Sequence, residues 1–445
     1  MFFTNFYSLQ MYFRWCGSIS SCECSNRCHL FVIVIISAWR LQVLLIGIVG
    51  KPSSGKSTFL NAACRTAAKV GAYPFTTIEP NPGTAYVRVD CLCQEFEVAC
   101  NAKNSVCRDG VRLIPIEMLD VAGLVPDAHM GRGRGNKFLD DLSRADAFIH
   151  VVDTSGSLDA EGRDVEPGTW DPRQDVEFLE REINMWLVQI LQRDWRRLSR
   201  RAETEKLKIT SLLSEKLSGL QISELAIKTA IRDVELQTDK PASWSEEELE
   251  KFVQRLRRRA KPMVIAANKV DRPQAAKNVE RLNQLTDETV IPCTAAGEFA
   301  LRNLSEKGVI SYQPGASSFE ILTPEELGET EQSQLQRLQT EILDKYGSTG
   351  IQQVLNTVIF DVLQLIPVYP VEDAGKLSDH DGNILPDVYL VANGTTARQL
   401  AYKIHTDLGD TFIHALDART KKRLSENYEL QANDVIRIVA AGATH

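Results

Sequence analysis

The chain has 445 residues, 43% apolar and 25% charged, with a net charge of -8. At about 150 residues per domain this allows about three globular domains, and it excludes wholesale disorder and a disulfide-knotted miniprotein. An acidic chain does not coat nucleic acid along its length, and the densest apolar run, Phe31–Ile36, is far short of the roughly 20 residues of a membrane helix, so no membrane partner is expected.

Residues 1–40 are rich in cysteine, serine and aromatics, with Cys16, Cys22, Cys24 and Cys28 among them. They read as a disordered N-terminal extension or a misplaced start. A short signal-type apolar run at Phe31–Ile36 and a zinc knuckle from Cys22, Cys24, Cys28 and His29 are the alternatives. From Leu41 the pattern changes. Apolar runs at Val43–Val49, Leu113–Leu119, Ala147–Val152, Met263–Ala267 and Val290–Cys293 predict strands buried on both faces, with helices between them. The fold class is therefore α/β with a mostly parallel sheet, over residues 41–171 and 261–358.

Residues 172–260 interrupt that alternation with 18 Lys/Arg and 16 Asp/Glu around leucines at helical spacing (Leu207, Leu212, Leu213, Leu217, Leu220). They predict an inserted helical hairpin, broken at Pro241 and anchored by Trp244. The run Arg255, Arg257, Arg258, Arg259 reads as a solvated face, with RNA contact as the alternative. After Pro314 come helices near 325–346 and 350–358. From Phe360 short strands at Val388–Val391, Phe412–Leu416 and Val435–Val439, with a helix at Thr396–Leu408, predict a small β-grasp domain over 360–445.

Three clusters carry chemistry. Gly50-Lys51-Pro52-Ser53-Ser54-Gly55-Lys56-Ser57 follows a strand and opens a helix at Thr58, the context of a phosphate-cradling P-loop. Its backbone amides and helix N-terminus suit phosphate oxygens; Lys56 would bridge the β- and γ-phosphates, and Ser57 would ligate Mg²⁺. Asp120-Val121-Ala122-Gly123 ends the next central strand, where Asp120 would hold Mg²⁺ through water and Gly123 would donate to the γ-phosphate; Thr77 is the candidate second hydroxyl on the metal. Asn268-Lys269-Val270-Asp271 follows a later strand. The Asp271 carboxylate would accept from guanine N1–H and N2–H, Asn268 would bond N7 and steady the phosphate loop, and the Lys269 stem would cover the ring. Thr294-Ala295-Ala296 would offer the Ala295 N–H to guanine O6. Between the first two clusters, Cys91, Cys93, Cys100 and Cys107 read as reduced cytosolic thiols, with a zinc or redox site as the alternative.

These motifs, in this order, mark a GTPase of the translation-factor-like class. Tyr73-Pro74-Phe75-Thr76-Thr77-Ile78-x-Pro80-Asn81-x-Gly83 resembles the Obg family. Asp120–Leu124 followed by Gly131-x-Gly133-x-Gly135-Asn136-Lys137-Phe138-Leu139 resembles its YchF (Obg-like ATPase) subfamily, of archaeal and fungal type. The segment from Ile366-Pro367-Val368-Tyr369-Pro370 through Asp434 resembles a TGS domain. The resemblance covers about residues 41–445. It implies a P-loop GTPase domain, a helical insertion and a TGS domain, in a cytoplasmic protein that meets ribosomes or other RNA through the TGS domain and the insertion. The Arg419-Lys421-Lys422-Arg423 cluster is the candidate phosphate contact.

Two departures from the family pattern matter. Familiar YchF proteins favour ATP because their base-reading motif lacks the aspartate; this chain keeps Asp271, so GTP is expected. Ser53 stands where the family has an asparagine linked to potassium-stimulated hydrolysis, so potassium activation is not expected. The position that carries a water-orienting Gln in Ras-like enzymes is Leu124, which cannot bond water, and this hydrophobic substitution is also a family trait. Slow turnover follows, with His129 the local candidate to orient water. The competing readings are an ATP-using regulatory protein and a non-enzymatic scaffold ordered by nucleotide.

Overall fold

A computed structural model describes residues 44–64, 82–121 and 143–441. The N-terminal extension, Thr77, Gly123, Leu124, His129 and the glycine-rich string 131–139 lie outside the described residues.

The first sheet orders its strands β2-β4-β1-β5-β6-β7, with β3 beside β4. These are β1 (Leu45–Val49), β2 (Pro82–Asp90), β3 (Val106–Arg108), β4 (Val111–Asp120), β5 (Ala147–Asp153), β6 (Met263–Asn268) and β7 (Thr289–Pro292). The run from β4 through β1, β5 and β6 to β7 is parallel. β1, β5 and β6 are buried at every residue, as expected for strands covered on both faces. β4 differs from expectation. Its burial alternates, because β2 pairs with it antiparallel and only one face meets the core. The sequence reading missed β2; its buried residues among those described are Ala85, Tyr86 and Val87, a three-residue apolar run between polar residues and a weaker signal than the longer runs of the central strands.

The insertion carries four helices rather than a hairpin: α2 (Arg173–Thr204), α3 (Ile209–Lys216), α4 (Glu224–Asp233) and α5 (Glu246–Ala260), after α1 (Lys56–Cys64) of the first sheet. Gln221 breaks the chain in a left-handed conformation, and Pro241 opens a short 3₁₀ turn. A capping box then starts α5: Glu248 N–H donates to Ser245 Oγ, and Ser245 N–H donates to the Glu248 carboxylate. Trp244 anchors the bundle, its ring centroid 5.1 Å from Trp195 and 5.7 Å from Phe252. Leu249, Phe252, Val253 and Leu256 turn the apolar stripe of α5 inward.

The arginine run at the end of α5 is not a solvated face. Arg257 is fully buried between Glu180 of α2 (2.7 Å) and Glu288 before β7 (3.1 Å). Arg258 pairs with Asp287 and Arg259 with Asp233. Only Arg255 of the four is exposed without such an ion pair, so the run clamps the insertion to the sheet and offers little to RNA.

α6 (Ala275–Leu285) lies between β6 and β7, and α7 (Ala295–Glu306) follows β7. A two-stranded ribbon, β8 (Ile310–Ser311) with β9 (Glu320–Ile321), leads to α8 (329–346) and α9 (351–362), which contain the wide π turns Leu338–Leu343 and Thr357–Val362. The C-terminal sheet orders β11-β10-β14-β12-β13 from β10 (Leu365–Val371), β11 (Tyr389–Ala392), β12 (Phe412–Asp417), β13 (Arg423–Leu424) and β14 (Val435–Ala440), with α10 (Ala397–Ile404) and α11 (Thr406–Asp410) split at His405. Its core is continuous with the first sheet's: Tyr369, Val371, Leu377 and Leu385 share one apolar cluster with Ile46, Ile114 and Ile359. The basic cluster here is also partly committed. Arg419 forks onto Glu95 at 2.6 and 2.9 Å, and Lys421 donates to the Ala374 carbonyl; Lys422 and Arg423 remain exposed.

Burial pushes the Glu288 carboxyl up even against the opposing Arg257 charge, so this clamp fixes geometry more than it adds net stability. Removing one partner still strands the others. Arg257→Ala should cost about 3 kcal/mol in urea unfolding, and Arg255→Ala within about 0.5 kcal/mol of nothing. Equal costs for the two variants would contradict the clamp.

Candidate functional site

The phosphate loop runs from the end of β1 into α1. Gly50 (φ 144°) and Gly55 (φ 101°) take backbone conformations that a side chain resists, and a Cβ at Gly55 would lie 2.3 Å from Asn268 Nδ2. The first helical rung is Phe59 N–H to the Gly55 carbonyl at 2.8 Å. The amides of Gly55, Lys56, Ser57 and Thr58 therefore precede the helical ladder and make an anion-binding N-terminus. Ser53 lies exposed at φ 63° on the rim, with Pro52 half-buried beside it; Ser54 is buried, and its Oγ has no hydrogen-bond partner among the described residues.

Lys56 turns back across its own loop to donate to the Lys51 carbonyl at 2.8 Å. Burial lowers its ammonium from the ordinary lysine value while Asp120 opposes the shift, so this is a cation held short of counter-charge inside an anion cradle. Ser57 Oγ donates to Asp120 Oδ2 at 2.8 Å. A hydroxyl and a carboxylate brought together at the mouth of the cradle are the all-oxygen donor set that suits Mg²⁺.

Lys51 contributes backbone only. Its side chain leaves the cradle, pairs with Asp175 at 2.8 Å, donates to the Leu158 carbonyl and lies 5.1 Å from the Trp170 ring centroid. Nothing in the P-loop pattern encodes that contact, because Asp175 and Trp170 lie more than a hundred residues away.

Across the sheet, Asn268 ends β6. Its Nδ2 donates to the Ser54 carbonyl at 3.0 Å and its Oδ1 accepts from Ala295 N–H at 3.0 Å. One amide thus ties the phosphate loop to the loop after β7. This corrects the expectation that the Ala295 N–H faces the ligand. Ala296 is exposed in the first turn of α7, where amides lack intrahelical acceptors, and offers the alternative donor. Thr294 positions rather than contacts: its hydroxyl donates to Asp271 Oδ1 at 2.7 Å while accepting from Gly297 N–H at 3.1 Å. Asp271 Oδ2 lies 3.6 Å from Arg272 Nε. The carboxylate lines a cleft of about 590 Å³ whose far side is Gln334, Arg337 and Glu341 of α8.

Lys269 (φ 66°) extends to Asp153 Oδ2 at 3.1 Å. Burial raises the Asp153 carboxyl, but Ser155, Lys269 and Ser157 together outweigh it and hold the group below the usual carboxylate range. Sequence reasoning missed this Asp153-Thr154-Ser155-Gly156-Ser157 shelf. Its signal was polar residues directly after a fully buried strand. Thr154 and Asn278 brace it, through Thr154 Oγ1 to the Asn268 carbonyl and Asn278 Nδ2 to the Thr154 carbonyl.

A glycine-turned phosphate loop, an oxygen pair for a divalent cation and an Asn-Lys-x-Asp edge on one side of a parallel sheet define a P-loop nucleotide-binding domain of GTPase type. Comparison with known proteins agrees. Residues 45–188 match the family described as 50S ribosome-binding GTPase, 266–373 the Obg-like GTPase YGR210-like, G4 motif-containing domain, and 377–440 the TGS domain. An uncharacterized GTP-binding protein of Methanocaldococcus jannaschii, MJ1332, is 50% identical over 398 residues, covering 89% of this chain and 99% of that protein. The GTP-binding protein C428.15 of Schizosaccharomyces pombe is 39% identical, covering 81% and 90%. The human protein named Obg-like ATPase 1 is 29% identical, covering 84% and 82%. The crystal structure of a GTP binding protein from Pyrococcus horikoshii OT3 superposes with a TM-score of 0.72 at 40% identity, covering 89% of this chain and all of that one. The chain belongs to the Obg-like GTPase (YchF) family.

Behind the phosphate loop, His150 of β5 is wholly buried, and its Nδ1 has no partner among the described residues. Burial, then the charges of Lys56 and Lys51, push its pKa down to about 3. The unfolded chain takes up this proton below about pH 6.5 and the folded one does not, so stability falls as pH drops through that window. Between pH 7 and 5.5 the wild type should lose about 1 kcal/mol more than His150→Leu in urea unfolding. Parallel pH profiles would contradict a neutral buried His150.

Proposed function

We propose that this protein is a GTP-hydrolysing switch that selects guanine through Asp271. The observation that carries the reading is the Thr294-fixed carboxylate on the wall of the cleft, one short loop from the Asn268 amide. Guanine presents N1–H and N2–H to a carboxylate. Adenine presents an acceptor at N1, which leaves the carboxylate unpaired and repelled. Arg272 flanks the second oxygen without the close, forked geometry that would neutralise it.

The phosphates lie on the amides of Gly55 to Thr58. Lys56 leaves the Lys51 carbonyl for the β- and γ-oxygens, a move that exchanges a neutral partner for an anionic one. Ser57 and Asp120 would hold Mg²⁺, with Thr77 the second hydroxyl, and the ion would supply positive charge against the phosphoryl oxygens. Gly123 donates to the γ-phosphate. With Leu124 in the water-orienting position, turnover is slow, and His129 or a partner supplies what Leu124 lacks.

The switch acts on a ribosome or another RNA particle. Family membership with a TGS domain supports this, as do the exposed Lys422 and Arg423. The insertion contributes through α2 and not through the end of α5: Arg193, Arg196, Arg197 and Arg200 recur on one exposed helical face, the spacing that presents cations to a phosphate backbone.

Calorimetric titration with GTP and ATP, each with Mg²⁺, tests the central claim. GTP should bind at least about 100-fold more tightly. Asp271→Asn should abolish that preference and gain affinity for xanthosine triphosphate, whose C2 carbonyl meets the new amide donor. Tighter ATP binding by the wild type would overturn the reading in favour of the ATP-using alternative.

A further inference from the structure

We propose that Cys91, Cys93, Cys100 and Cys107 form a structural zinc site that locks the C-terminal domain onto the nucleotide-binding domain. The four residues follow a C-x-C-x6-C-x6-C spacing. Cys91 comes directly after β2, Cys93 lies in the single helical turn Leu92–Glu95, Cys100 lies in the following loop, and Cys107 lies on β3 opposite Arg112. Folding brings all four sulfurs within 4.8 Å of one another, with Cys91 Sγ to Cys100 Sγ at 3.8 Å and Cys93 Sγ to Cys107 Sγ at 3.7 Å. A tetrahedral tetrathiolate with Zn–S bonds of about 2.3 Å has sulfur–sulfur edges of about 3.8 Å. Of the six cysteines in the described residues, the other two, Cys64 and Cys293, lie outside this cluster.

A second observation is the charge beside it. Arg112 is fully buried, yet its hydrogen bonds go to the Ser105 hydroxyl (3.1 Å) and the Leu385 carbonyl (2.7 Å), and its Nε has no partner among the described residues. Neither partner is a carboxylate. Asp387 acts on this guanidinium only through its charge, without a hydrogen bond, and the Tyr369 ring centroid lies 5.6 Å away, so a closer anionic partner would stabilise it. Zinc bound by four thiolates carries a net charge of about −2 and supplies one.

The segment needs such a staple. Residues 91–108 contain one four-residue helical turn and one three-residue strand, with no buried core of their own beyond Cys91, Leu92 and Ser105. The same segment carries the docking contacts. Asn101 and Lys103 amides donate to the carbonyls of Ile384 and Pro386, the Asn104 side chain pairs with both backbone groups of Val388, and Glu95 holds Arg419.

The test uses the full-length protein purified under reducing conditions without chelator. Elemental analysis should find about one zinc per chain, and the same in a variant with Cys16, Cys22, Cys24 and Cys28 replaced by Ser. Zinc should fall at least about tenfold in Cys100→Ser/Cys107→Ser. Cobalt substitution of the wild type should give thiolate-to-metal charge-transfer bands, and zinc removal should speed amide exchange at residues 384–388. Three results would overturn the proposal: under about 0.1 zinc per chain after zinc-supplemented growth, zinc retained by the double variant, or a native mass showing these four cysteines in disulfides.

Discussion

The Asn268 carboxamide is the contact on which the site depends. Its NH₂ group meets the Ser54 carbonyl and its oxygen meets the Ala295 amide, so one planar group of fixed size sets the distance between the phosphate loop and the Asn-Lys-x-Asp edge. Three features make that possible. Gly55 has no Cβ to block the approach, β6 is buried along its whole length, and Thr154 holds the Asn268 carbonyl from the neighbouring strand. A buried amide satisfied on both sides specifies one arrangement, because any slip leaves polar groups unpaired.

Around that contact, charge does architectural work. Lys51 pairs with Asp175 at the root of the helical insertion, and Arg257 pairs with Glu180 and Glu288 at its other end. The insertion is therefore pinned where it leaves the sheet and where it returns. The C-terminal domain is held by a shared apolar cluster and by the cysteine-bearing excursion between β2 and β4. A change in the phosphate loop thus has a direct physical route to the insertion, through the Lys51 backbone and its buried ion pair.

The phosphate loop, the central strands and the Asn-Lys-x-Asp edge were legible in the sequence because their information is local. Glycines at a fixed spacing, fully apolar strands and the Asn-Lys-x-Asp string each work within a few residues of where they stand. What stayed hidden was long-range. Arg257 and Arg419 look like surface charge until Glu180, Glu288 and Glu95 are brought to them. Thr294 and Ala295 looked like base contacts, and the fold gives Thr294 to Asp271 and the Ala295 amide to Asn268. The four-helix form of the insertion was obscured because two of its three breaks, at Lys206 and Gln221, are single left-handed residues in a highly charged stretch; only the break at Pro241 was legible.

Asn268 braces both halves of the site, and Asp271 is proposed to read the base alone. Titration with inorganic tripolyphosphate and Mg²⁺, a ligand with no base, separates these roles. Asn268→Ala should bind it at least about tenfold more weakly than the wild type, while Asp271→Asn binds it as the wild type does. Wild-type tripolyphosphate affinity in Asn268→Ala would contradict the claim that this amide holds the phosphate cradle in place.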